Sequence, residues 1–134
     1  MEPLLLELIQ LYQEKVNEVL NIFKQKWGNE FAVTERRRLN IPRMGRFSKY
    51  GVKRYGFHGI GLYTNLNGIE VDFDFGPDGR TDGFDWWRLY QFADNFPERF
   101  GVFNDSKLVE SALAELERKG VIHRLPNSSL YFFQ

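Results

Sequence analysis

The sequence predicts an α+β fold, because it combines a long amphipathic helix at the N-terminus, a central β-hairpin, and two further helices that lead into a C-terminal β-hairpin. Its 134 residues suit one domain, and 43% apolar with 27% charged content is ordinary for a globular chain. We therefore predict a single domain with an N-terminal helix over 1–28, a basic loop region over 29–54 and an α+β core over 55–134.

Residues 3–27 predict the long helix, since apolar side chains recur there in steps of three and four. Pro3 suits a first helical position and Gly28 suits the stop. The stripe indicates a helix packed on the core, but it nearly keeps a heptad. We therefore expect a monomer, or a homodimer formed through this helix. The stripe consists of Leu5, Ile9, Tyr12, Val16, Val19, Leu20, Phe23 and Trp27.

Two β-like runs, Tyr55 to Thr64 and Ile69 to Phe75, flank Asn67-Gly68, which is a strong cue for a two-residue hairpin turn. With that turn Leu62 faces Phe73. Side chains alternate, so one face is apolar and is the core face. The other face carries Asp72 and Asp74 outward. The apolar face consists of Ile60, Leu62, Val71, Phe73 and Phe75.

The C-terminal third predicts helices over 84–95 and 105–119 and strands over 121–125 and 130–133. Asp82 or Asp85 is expected to cap the first helix, and Asn104 or Asp105 the second. Pro97 and Gly120 are the expected stops. This order of elements is winged-helix-like, but the exposed face of helix 105–119 has mixed charge and is poor for binding phosphates.

Charge is segregated along the chain. Eight basic residues and no acid lie from Arg36 to Arg54, whereas six acids opposed only by Arg80 lie from Glu70 to Asp85. From Asp74 the acids partly imitate a calcium loop, but Gly76 stands where an oxygen ligand belongs. These acids are expected to stabilise turns and helix caps, or to form an acidic surface for a partner, rather than to bind a metal ion, and we expect no metal.

The sequence offers no convincing active site. It has no cysteine, no glycine-rich phosphate loop before a helix and no serine in a nucleophile elbow. His58 shares the parity of the core face, so a His–Asp dyad with Asp72 or Asp74 is disfavoured, although a small hydrolase around His58 stays an alternative. We predict no enzyme and no cofactor. The start of the chain is not a signal peptide and no apolar run is long enough for a membrane span, so we expect a cytoplasmic protein with no membrane partner.

Trp86-Trp87-Arg88 begins the helix after the acidic stretch, and adjacent helical residues cannot both face the core. Trp87 either packs under the first helix or is exposed as an interface anchor. The candidate partner-binding residues are Asp72, Asp74, Asp78, Asp82, Asp85, Trp87 and Arg88. The second candidate surface consists of Arg36, Arg37, Arg38, Arg43 and Arg46.

Three motifs carry a resemblance: His58-Gly59-Ile60-Gly61, Asp72 to Gly76, and Gly83 to Leu89. Over roughly residues 50–133 the chain resembles a family of small bacterial domains with an HGxG, DFDFG and GFDxWRL core, which look like immunity proteins of polymorphic or contact-dependent toxin systems. The resemblance implies a protein that binds a cognate toxin domain, such as a nuclease, and neutralises it by a stoichiometric interface. The alternative is a nucleic-acid-binding regulator that uses the basic 36–54 segment and the winged-helix-like C-terminus.

Overall fold

The computed structural model describes residues 2–27, 32–33, 39–40, 53–55, 60–66, 68–75 and 80–134. The chain forms two compact units. The first consists of Met1–Gln13 and Asp82–Gln134, and the second of Glu14–Thr81. Helices and antiparallel strands are both present, which confirms the α+β class. The expected single domain with boundaries at 28 and 54 stays a prediction.

Helix α1 (Glu2–Trp27) contributes its first residues to the first unit and the remainder to the second. Its apolar stripe is buried at six of the eight predicted positions, and Leu8 is buried as well. The chain itself therefore covers the stripe at these positions, which confirms packing on a core and leaves no open seam there. The side chains of Phe23 and Trp27, and the expected stop at Gly28, lie outside the described residues.

The second unit contains short strands. Strands β1 (Ala32–Val33) and β2 (Leu39–Asn40) pair with each other, and β3 (Lys53–Tyr55), β4 (Ile60–Leu66) and β5 (Ile69–Phe75) form an antiparallel sheet in the order β3-β4-β5. The prediction that Tyr55 begins the hairpin strand is wrong. Tyr55 ends β3, which is antiparallel to β4, and pairs with Gly61.

The β4–β5 hairpin has the predicted register. Leu62 lies opposite Phe73 and Leu66 opposite Ile69, which leaves the two residues of the turn between them. Gly68 has φ +87°, the left-handed conformation that this type of turn requires. Val71 and Phe73 are fully buried, which confirms the core face on β5. The side chains of Ile60, Leu62 and Phe75 lie outside the described residues.

The first unit continues with α2 (Trp86–Ala93), α3 (Pro97–Phe100), a 3₁₀ turn (Gly101–Phe103), α4 (Ser106–Arg118), β6 (Ile122–Arg124) and β7 (Tyr131–Phe133). The prediction that one helix spans 84–95 is corrected at both ends, because Phe84 is extended and α2 ends at Ala93. Pro97 does not simply stop a helix. It is the first residue of α3, where its missing N–H costs no hydrogen bond.

Both ends of α4 follow the sequence signals. The Asp105 side chain accepts from the backbone N–H groups of Lys107 and Leu108, at 3.0 and 3.4 Å. At the other end Gly120 has φ +77° and Val121 N–H donates to the Leu116 carbonyl at 3.0 Å, as in a Schellman motif. The predicted cap and stop are therefore confirmed.

The core of the first unit is strongly aromatic. Tyr12 of α1 meets Phe92 of α2 edge-on, with ring centroids 5.3 Å apart. Phe84 forms a two-way backbone bridge to Tyr131 of β7, with N–H···O distances of 3.0 and 2.7 Å. After α1 the first unit therefore runs through a bridging residue, two main helices and a C-terminal hairpin. No helix in the described part of the chain is long and apolar enough to cross a membrane.

Candidate functional site

The N-terminus of α2 is fixed by a buried carboxylate. Asp85 is only 2% exposed and has extended backbone angles, which place its side chain over the first turn of the helix. Its Oδ1 accepts from the backbone N–H of Arg88 at 2.8 Å, while its Oδ2 forms an ion pair with the Arg88 guanidinium. The Ser129 hydroxyl lies 3.5 Å from the same oxygen. Asp85 therefore joins α2 to the loop before β7.

This geometry confirms Asp85 as the helix cap but removes Asp85 and Arg88 from the candidate partner surface. Their charges neutralise each other at the base of α2, and the two side chains are only 3% and 13% exposed. In a buried pair of this kind each charged side chain has replaced its hydration shell with the other side chain, so few of its hydrogen-bonding sites remain for a second molecule. The sequence marked both residues because a spacing of three allows capping and surface display alike.

Trp87 occupies the outer side of α2 and is 44% exposed. Its ring meets Trp86 edge-on at 5.6 Å and lies 6.3 Å from Tyr90, one turn further along. Asp94 is exposed two turns beyond Trp87 on the same side. Of the two alternatives that the sequence left open, the structure therefore shows the exposed Trp87, and its role as an interface anchor stays a prediction. Large aromatic side chains held rigidly at a surface are typical of interface hot spots.

The remaining acids are distributed between the two units. Asp82 is exposed in the first unit, and its backbone carbonyl accepts from the Gln13 side chain at 2.7 Å. Asp72 of β5 lies opposite Tyr63 but is only half-exposed, and one of its carboxylate oxygens has no contact with solvent. The Asp72 side chain is therefore only partly exposed, and its place on a partner surface stays a prediction. Asp74 lies opposite Gly61, and its side chain is outside the described residues, as is Asp78.

The second candidate surface, Arg36, Arg37, Arg38, Arg43 and Arg46, lies outside the described residues, and so does His58. Within the described part of the chain, no three His, Cys, Asp or Glu side chains lie close enough to hold a metal ion. His123 is half-buried on β6, and its ring lies 6.1 Å from that of Phe132.

A groove of about 610 Å³ lies in the first unit between α4, the β6–β7 hairpin and the start of α2. One wall is a stripe of α4 with Lys107, Glu110 and Ser111, which recur at helical spacing. The opposite wall is the cross-strand pair Arg124 and Tyr131, with the guanidinium carbon 6.0 Å from the ring centre.

Trp86 and Ser129 also line the groove, so the groove adjoins the cap of α2. Burial raises the pKa of Tyr131 and the nearby Glu117 adds to this, so the phenol is neutral at physiological pH. The groove was not predicted from the sequence. The exposed stripe of α4 could be predicted, but the opposing wall depends on how the hairpin folds back.

Residues 5–133 match the family described as "Domain of unknown function (DUF6896)". The chain belongs to this family. The DUF6896 match takes in α2, α4 and the hairpin, and so covers both Trp87 and the groove. No curated protein and no solved structure matches the chain. The family description assigns no activity, so function rests on the geometry of the chain's own residues.

Proposed function

We propose that this chain is an immunity-type protein that binds a cognate bacterial toxin domain in the cytoplasm and neutralises it by a stoichiometric interface. The observation that carries the proposal is Trp87, a large aromatic side chain displayed on a helix whose N-terminus is held by the buried Asp85–Arg88 pair. Such an anchor gives contact area at a low cost in conformational entropy. The motif resemblance supplies the partner class, and no catalytic constellation is required.

Exposed acids before and at the end of the helix that carries Trp87 suit a basic partner. Asp82 and Asp94 are both exposed on the segment that carries Trp87. Asp94 is also the C-cap of α2, where the helix dipole is unfavourable for a carboxylate and lowers helix stability by about 0.3–1 kcal/mol. Helix stability therefore does not account for this acid. A toxin with a basic nucleic-acid-binding cleft would be attracted to such a surface, chiefly through faster association.

The first test concerns the neighbouring gene. The proposal expects a large secreted protein with a variable C-terminal domain to be encoded immediately upstream. That C-terminal domain is then produced and its binding to the chain is measured by surface plasmon resonance. If that domain neither binds the wild-type chain nor is neutralised by it, the proposal is wrong.

The second test concerns the anchor itself. Replacing a hot-spot residue costs about 2 kcal/mol or more, so Trp87→Ala should weaken binding by about 30-fold or more, mostly through faster dissociation. Val102→Ala is the matched control, since Val102 is 45% exposed and its truncation also removes exposed apolar surface. Asp82→Lys with Asp94→Lys should slow association and reduce its dependence on salt. A Trp87→Ala chain that binds within threefold of wild type would place the interface elsewhere.

A second candidate function is nucleic-acid binding, which the winged-helix-like connectivity of the first unit favours. The charges of α4 oppose it. Arg118 is paired with Glu115 and Lys119 with Glu2, so little positive charge is left on this helix for phosphates. A gel shift of duplex DNA or RNA that weakens steeply from 50 to 200 mM salt would support this function. The absence of any shift by the full chain would rule out nucleic-acid binding, including binding through the basic 36–54 segment.

A further inference from the structure

The groove between α4 and the β6–β7 hairpin has the dimensions and chemistry of a binding site. Its volume of about 610 Å³ falls in the range of roughly 300–1,000 Å³ that is typical of ligand sites. Its lining includes two cations, one carboxylate, two serine hydroxyls and two aromatic side chains, all within the first unit. A ligand therefore has to satisfy both charge and hydrogen-bonding partners along an extended wall.

The two cations define the first requirement. Lys107 and Arg124 are exposed on opposite walls, and neither forms an ion pair with any residue that the structure describes. By contrast, Arg118 and Lys119 at the end of α4 are each paired with a carboxylate. The groove thus holds two cations that have no ion-pair partner among the described residues, together with the one carboxylate of Glu110, whereas the cations beside the groove are neutralised. The occupant is expected to carry a negative group.

Glu110 defines the second requirement. It lines the groove one turn after Lys107 and accepts hydrogen bonds but donates none. A phosphodiester chain offers an acceptor and a negative charge at every step, so it would be repelled there. An extended peptide offers backbone N–H donors to Glu110 and one side-chain carboxylate to the cations. Trp86 and Tyr131 add apolar surface for its other side chains.

We propose that this groove binds an extended peptide segment that carries one acidic side chain. The carboxylate lies between Lys107 and Arg124, and the peptide N–H groups face Glu110 and the hydroxyls of Ser111 and Ser129. This site is distinct from the Trp87 anchor and goes beyond the toxin-binding proposal. A chain without a toxin partner would still have it.

The test uses the full chain, labelled with ¹⁵N, and the capped pentapeptide acetyl-Ala-Ala-Glu-Ala-Ala-amide. Amide shifts are followed by two-dimensional NMR up to about 10 mM peptide, the weak end of specific binding. Saturable shifts are expected at residues 107–114, 124 and 129–131 and at the Trp86 indole. The same peptide with Gln in place of Glu should bind about tenfold more weakly, because a charge-assisted hydrogen bond is lost.

Variants and competing ligands complete the test. The double variant Lys107→Gln with Arg124→Gln should weaken binding of the acidic peptide by about tenfold. The control double variant Arg99→Gln with Arg118→Gln removes two exposed cations outside the groove, and it should change the affinity by less than about twofold. All four positions are exposed, and equal thermal melts establish that the variants fold. Equal binding of the Gln peptide, or no saturable shift, overturns the proposal. So does tighter binding of oligo(dT) or inorganic phosphate at the same amides, which would mark a phosphate site.

Discussion

The buried Asp85–Arg88 pair yields the sharpest expectation about stability. Asp85→Ala removes a helix cap worth about 1 kcal/mol, and it leaves the Arg88 guanidinium, whose side chain is 13% exposed, without its buried carboxylate. Breaking a buried pair on one side costs about 3–5 kcal/mol. Both effects belong to one carboxylate and do not add, so we expect the free energy of unfolding to fall by about 3–4 kcal/mol. For a chain of this length that lowers Tm by about 12 °C.

The assay is urea unfolding followed by far-UV circular dichroism, with an unchanged slope to show that stability alone has moved. Asp105→Ala is the matched control, because Asp105 caps α4 through two backbone N–H groups but is exposed. It should cost only about 1 kcal/mol. The double variant Asp85→Ala with Arg88→Met should recover about 2 kcal/mol relative to additivity. Equal losses for Asp85→Ala and Asp105→Ala would show that the buried pair contributes nothing.

Three further expectations concern single residues. Burial raises the pKa of Tyr131, so the folded state holds the phenol proton more tightly than the unfolded state. The resulting contribution to the free energy of unfolding is present below about pH 10 and is lost as the pH rises through the folded pKa. This loss should be absent from the alkaline unfolding curve of Tyr131→Phe. Gly83→Ala should cost about 1–3 kcal/mol in urea unfolding, because a Cβ there would lie 3.0 Å from the Phe132 ring in a buried site; a cost below about 0.5 kcal/mol would contradict that packing. Gly68→Ala should lower the free energy of unfolding by about 1 kcal/mol, because Gly68 has a φ of +87°. Gly101→Ala should be neutral or stabilise the fold by up to about 1 kcal/mol, because Gly101 has an ordinary φ and open space around it. The reverse order in thermal melts would refute the turn geometry.

Local signals specified most of the elements. The steps of three and four in 3–27 gave the first helix to within one residue at its start, because burial of one helical face needs that spacing. Asn67-Gly68 gave the hairpin and its register, since a two-residue turn fixes which residues pair. Where two local signals competed, the sequence was a poorer guide. Asp82 and Asp85 both suit a helix cap, so the sequence placed Phe84 in the helix, but its backbone forms a bridge to Tyr131, 47 residues away in the chain.

The candidate site depended more on the tertiary structure. Residue types at 85–88 are compatible with either a cap or a surface patch, and burial decided that Asp85 and Arg88 pair inside while Trp87 faces outward. The groove has no linear signature, because its walls come from α4 and from a hairpin that folds back beside it.

The sequence by itself therefore determined the two long helices α1 and α4, the hairpin turn, the cap of α4 and the segregation of charge, all of which depend on neighbours within a few residues. Only the tertiary structure decided which charges are neutralised and which face a groove. That outcome depends on contacts between residues distant in the chain, such as Lys119 with Glu2, and the side-chain pattern of one element does not encode them.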